Sequence, residues 1–244
     1  MKFLLTMLLA VMAIASFAVE YKVADMPDYK TNPEGFLAYW KTVTSPAIKM
    51  ARKVRVIVQW ESKLGQLEKT VPAIDARIAE LAVENKLTAD EVVFAKVYNY
   101  FNSGLTKESL ALAEANITIP AVKNYIGWCY GRVGDYTKAV KLGSASCKIM
   151  YIGKLSDVPL KYNTCVSLLL AKRLSVAQAN RIFNILTDID LDEAEVSEVD
   201  YKKMLKKLKR KYAKTVKTTV DGVTKREYVY EDMRATIIDL LKDL

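Results

Sequence analysis

The stretch "NYIGWCYGRVGDYTKAV", residues 124–140, decides the fold of this 244-residue chain. Its apolar spacing is helical, yet Gly127 and Gly134 stand seven residues apart inside it. Glycine in a helix interior costs ~1 kcal/mol relative to alanine. That cost has a reason if the two glycines do different jobs. Gly134 is placed to end one helix, and Asp135 to cap the next. Gly127 then lacks a side chain so that the second helix, from Tyr136 to about Met150, can pack close.

Outward from this point the chain reads as successive helices. Upstream, Asn32-Pro33 is a cap followed by Pro at the first helical position. Phe36, Tyr39, Trp40 and Val43 follow at i, i+3, i+4, i+7. Ser45-Pro46 restarts a helix with Ile48, Ala51 and Val54 inward and Lys49, Arg52 and Lys53 outward, running to about Glu61. A third helix is expected over 64–84, limited early by Pro72. Thr88 and Glu91 form a capping box before the stripe Phe94, Val97, Tyr98, Phe101. Gly104 ends that helix, Thr106 opens another, and Pro120 starts the one that Gly134 closes. Downstream, Pro159 and Ser175 open two more, the second reaching Ile185.

The helices pair, with a weak internal echo: residues 100–104 are similar to 130–134, and Ser175 and Ala179 repeat the roles of Asp135 and Ala139. Residues 125–140 resemble a tetratricopeptide (TPR) repeat. Gly127 matches the family's close-packing glycine and Tyr130 its aromatic three residues on. Gly134, Asp135, Tyr136 and Ala139 match its turn and small packing residue. Lys123 departs from the family's Trp, and Gly143 and Ser146 stand at later core positions. The resemblance implies an all-α, irregular solenoid of helical hairpins that binds a protein or peptide in a concave groove. Asn99, Asn124 and Tyr125 are candidates for its lining. The alternative is an ordinary helical domain with one Gly-Asp-Tyr turn.

The ends of the chain differ from this middle. Residues 1–18 carry Lys2, an apolar run from Phe3 to Ile14, and the small residues Ser16 and Ala18. This is the pattern of an export signal cut after Ala18. The mature protein is then expected to be exported, periplasmic or secreted, the alternative being a retained membrane anchor for which the apolar run is short, and nucleic acid is not the expected partner. Cys129, Cys147 and Cys165 remain after the cut, an odd number. Cys147 and Cys165 flank residue 156 symmetrically and form a candidate disulfide, the alternative being buried thiols.

No histidine occurs, which excludes Ser-His-Asp and Cys-His catalysis and His-bearing zinc sites. No paired-carboxylate motif stands out, so neither an enzyme nor a cofactor is expected. Residues 188–200 hold seven acids and no base. They fail as a calcium loop because the turn Gly and the closing Glu are missing, and they read as a linker between a helical domain over 19–187 and a distinct part over 201–244.

That last part begins with "YKKMLKKLKRKYAK", residues 201–214. Tyr201, Met204, Leu205, Leu208 and Tyr212 make one apolar stripe among eight basic residues. Lys203, Lys206, Lys207, Arg210 and Lys214 are the candidates for binding an anionic lipid or polymer of the cell envelope; a solvated face of a docked helix is the alternative. Asp221-Gly222 between two Val/Thr/Tyr-rich runs predicts a β-hairpin, and a closing helix is expected over 231–244. The net charge of +9 leans toward anionic partners.

Overall fold

The computed structural model describes residues 19–20, 22–44, 48–172, 174–212, 214–220 and 223–229, of which 19–20, 176, 209, 214–220 and 223–229 are described by backbone alone. The signal segment with its cut after Ala18, the Ser45-Pro46 restart, the Asp221-Gly222 turn and the helix expected over 231–244 lie outside these residues. The chain is mostly helical, so its class is all-α. It forms two compact units, one through Lys123 and one from Asn124.

The first unit holds α1 (Pro33–Thr42), α2 (Met50–Lys63), α3 (Val71–Glu84), α4 (Ala89–Ser103) and α5 (Thr106–Ala115). The caps explain most of their starts. Asn32 Oδ1 accepts from the Gly35 N–H at 2.9 Å, and Pro33 takes the first helical position. Thr88 and Glu91 close a capping box at α4, and Gly104 ends it at φ +87°. α3 starts at Val71, later than the 64 expected. Gly65, at φ +73°, turns the chain out of α2, and Thr70 caps α3 with Pro72 in its first turn. Val19–Glu20 (β1) pairs in parallel with Val43–Thr44 (β2) after α1.

α4 packs against α2, α3 and α5. Trp40, Val54, Ile57, Val58, Ile74, Ile78, Ala95 and Tyr100 build the core. One outward assignment is corrected. Lys53 is buried, not solvated: burial pushes its ammonium down while the Glu84 carboxylate opposes the shift. Its aliphatic stem covers apolar surface. Further along α2, Glu61 is 5% exposed and needs its charge neutralised. Arg77 meets it with two bonds of 2.9 Å, and Lys41 lies 3.0 Å away. Burial pushes the carboxyl up, but these two cations outweigh it and hold Glu61 below its ordinary range.

The second unit includes the rest of α6 (Pro120–Val133), then α7 (Tyr136–Leu142), α8 (Ala145–Tyr151), α9 (Val158–Ala171), α10 (Val176–Thr187) and α11 (Glu198–Tyr212). The single helix expected from Tyr136 to Met150 is thus two helices. Gly143 is extended, and Ser144 accepts from the Cys147 N–H at 3.4 Å to start the second. α10 begins with a capping box of Ser175 and Gln178.

Ile152, Cys165, Leu169, Ile182, Leu186, Leu205 and Leu208 form the second core. Ala194, within the acidic segment, is buried in it, with Leu191 and Val196 packed alongside. Asp190 Oδ1 accepts from the Asp192 N–H at 2.8 Å, which tightens that turn. Lys214–Val220 (β3) and Val223–Val229 (β4) pair antiparallel, from Val220 opposite Val223 to Lys214 opposite Val229.

Candidate functional site

Gly127 is where α6 meets its partner. A Cβ there would collide with Gly143 Cα and would stand 2.8 Å from Gly143 N and 2.9 Å from Ala139 O. All three atoms are backbone, so nothing nearby can rotate away. Gly143 is equally confined, with Cys147 Sγ 2.6 Å from the place its own Cβ would take. Gly134 has no atom near its missing Cβ but sits at φ +91°, a left-handed turn that glycine enters without strain. Asp135 Oδ1 accepts from the Lys138 N–H at 3.0 Å and starts α7. Ala139 is buried, Tyr136 half-buried, and Tyr130 is buried with the Lys138 ammonium 4.9 Å from its ring centre.

Gly131 adds a contact that helical periodicity did not announce. Its absent Cβ leaves room for the Tyr151 ring. That ring stacks on Tyr136 at 5.7 Å and meets Trp128 edge-on at 5.9 Å. Gly127 and Gly131 are four apart on one helix, which is the only signal the sequence holds for it.

The three cysteines are buried thiols outside any disulfide. The Cys147–Cys165 disulfide expected from sequence is not formed. Cys147 Sγ instead donates to Ala139 O at 3.6 Å, and the thiol nearby that adds to the upward push of burial is Cys129. Burial pushes Cys147 up to about 11 and Cys165 up to about 12, so both are protonated at neutral pH.

Of the three candidate groove residues, Asn99 is corrected. It is fully buried, and its Nδ2 donates to Ala95 O at 2.9 Å in its own helix. Asn124 is exposed and Tyr125 half-buried. The apolar stripe on α4 divides by burial. Val97 is buried, but Phe94, Tyr98 and Phe101 are half-buried.

Phe94 and Tyr98 meet a cation from α2. The Arg55 guanidinium lies 4.6 Å from the Phe94 ring centre and 5.4 Å from that of Tyr98, while its Nε donates to Ala51 O. Tyr98 Oη donates to Gln59 Oε1 at 3.1 Å, Gln59 Nε2 donates to Asn102 Oδ1 at 3.3 Å, and Asn102 Nδ2 donates to Tyr98 O at 2.7 Å. Arg52, one turn before Arg55, is exposed. Burial raises the Tyr98 phenol, and the charges of Arg55 and Arg52 oppose that. The result is a fixed row of aromatic faces, side-chain amides and guanidinium groups along α2 and α4.

On α11 the two faces are cleanly divided. Met204, Leu205, Leu208 and Tyr212 are buried, while Lys203, Lys206, Lys207 and Arg210 are exposed on the opposite side. Lys203 reaches Asp200 at 3.3 Å, whose carboxyl is held low by the Ser197 hydroxyl and then by Lys203. Lys206, Lys207 and Arg210 make no ion pair among the described residues. Lys214, at the start of β3, is placed by its backbone only. Lys211 is also exposed, but its ammonium lies along the surface and donates to Leu169 O, Leu170 O and Lys172 O at 2.6–2.9 Å. These are carbonyls at the C-terminus of α9, where a cation is favoured.

Among the described residues no group of three Cys, Asp or Glu is placed to hold a metal, and no helix is long and apolar enough to cross a membrane. Comparison of the chain with protein-family models, with curated proteins and with solved structures found no match.

Proposed function

We propose that this chain is an exported, non-enzymatic, TPR-like scaffold that binds a protein or peptide. The observation that carries the reading is the backbone contact of Gly127 with Gly143. It gives the glycine of the resemblance the packing job that a TPR-like hairpin requires, and Gly134, Asp135 and Ala139 take up the matching turn and packing roles. The export pattern of residues 1–18 supports the location.

The row along α2 and α4 is the binding face of this scaffold. Aromatic faces accept apolar side chains, and the exposed Arg52 complements carboxylates. Gln59 and Asn102 are held in place by their own hydrogen bonds, which lowers the ordering cost of binding a ligand beside them. The occupant is therefore a peptide segment with acidic and apolar side chains.

Selection of a random peptide library on the full chain tests this. Enriched sequences should be acidic and apolar, and Tyr98→Ala or Arg55→Ala should weaken their binding at least tenfold, a loss of about 1.4 kcal/mol. Failure to enrich any peptide, or enrichment indifferent to both substitutions, would contradict the reading.

A further inference from the structure

The net charge of this chain is not spread over it. Residues 201–229 contain eleven Lys or Arg and two Asp or Glu, a net +9 that equals the charge of the whole protein. The remaining residues are balanced. Over α11 and the two strands together, residues 198–229, eleven basic residues stand against four acidic ones, a net +7 that is most of the excess.

We infer that this region docks on the surface of an anionic phospholipid bilayer, through Lys203, Lys206, Lys207 and Arg210 of α11. Their spacing of three, one and three residues puts them on one face. That face is exposed and stands opposite the buried Met204, Leu205 and Leu208. This division fixes the mode of contact. An interfacial helix normally sinks its apolar face among the acyl chains. Here that face is committed to the protein core, so α11 meets phosphates at headgroup level and inserts nothing.

The strands add to the same charge. Lys217 and Arg226 occupy directly opposite register positions. Only residue 213 separates α11 from β3.

A bilayer suits this face better than nucleic acid does. Three of its four residues are lysines, point charges without planar donors for base edges, and no Asn or Gln accompanies them. The export pattern at residues 1–18 also brings the chain to a membrane.

The test is sedimentation of the full chain with phosphatidylcholine vesicles, with and without phosphatidylglycerol, at low and high salt. Two variants of equal charge accompany it. One neutralises Lys203, Lys206, Lys207 and Arg210 to Gln; the other neutralises the exposed Lys69, Lys107, Lys123 and Lys172 to Gln. Neither touches a buried side chain, and circular dichroism checks that both fold. Each basic residue at an anionic surface contributes roughly fivefold in affinity, so the α11 variant should lose at least about a hundredfold while the control stays close to the native chain. Binding should also fall steeply with salt.

Equal loss in both variants would reduce the effect to net charge and overturn the proposal. So would equal binding to vesicles without phosphatidylglycerol, which would assign adhesion to the apolar run at Phe3–Ile14. Tighter binding to duplex DNA than to anionic vesicles, lost in the α11 variant, would overturn it in favour of a nucleic acid.

Discussion

Single residues in this protein act through backbone contacts that no side-chain rearrangement relieves. Gly127→Ala should be destabilising although alanine is the better helix former. The propensity gain is ~1 kcal/mol, but the new methyl meets Gly143 backbone, and overpacking of that kind costs about 1–3 kcal/mol. Gly134→Ala meets nothing and should cost about 1 kcal/mol through its left-handed φ alone. Urea denaturation separates the two: in a Gly143→Ala background the Gly127→Ala penalty should change, and the Gly134→Ala penalty should not. Both glycines were legible because they break a helical pattern. Gly131 was not, since its partner Tyr151 lies beyond two turns that sequence periodicity does not join. Asn99 was misplaced for a related reason. An amide that bonds its own helix's backbone looks, in sequence, like one offered to a ligand.

Elements were legible where a cap announces them. Asn32, Thr88, Asp135 and Ser175 all start helices as expected, because a side-chain acceptor followed by an apolar repeat has one economical reading. The break at Gly143-Ser144 escaped because the apolar spacing continues across it. On α11 the division of faces was readable, but the special place of Lys211 was not. Only the tertiary structure shows that it lies on the carbonyls ending α9. Lys211→Met should destabilise the fold by about 1–2 kcal/mol, the loss of charge-assisted bonds. Lys207→Met, exposed and without an ion pair among the described residues, should change it by less than about 0.5 kcal/mol. Thermal unfolding of the pair measures the contrast directly.

Across the whole molecule, the first unit is held by a charged cluster as well as by its apolar core. Glu61 bonds Arg77 and Lys41 within an almost closed site. Its folded pKa is depressed, so the stability it contributes is present above the ordinary carboxylate range and lost as pH falls through the folded value. Glu61→Gln should cost on the order of 2 kcal/mol at neutral pH, less than a fully buried pair because Arg77 is partly exposed. It should also flatten the acid limb of a stability-versus-pH curve followed by urea midpoints. An unchanged acid limb would place the acid sensitivity elsewhere.

The binding face proposed for this scaffold is the row of Arg52, Arg55, Gln59, Phe94, Tyr98 and Asn102 on α2 and α4. Its most direct test is chemical-shift mapping of the full chain titrated with a library-selected peptide. The expected result is a set of saturable shifts confined to residues on α2 and α4, absent in Tyr98→Ala. Shifts concentrated on the Lys206–Arg210 face of α11, or unchanged by Tyr98→Ala, would contradict it.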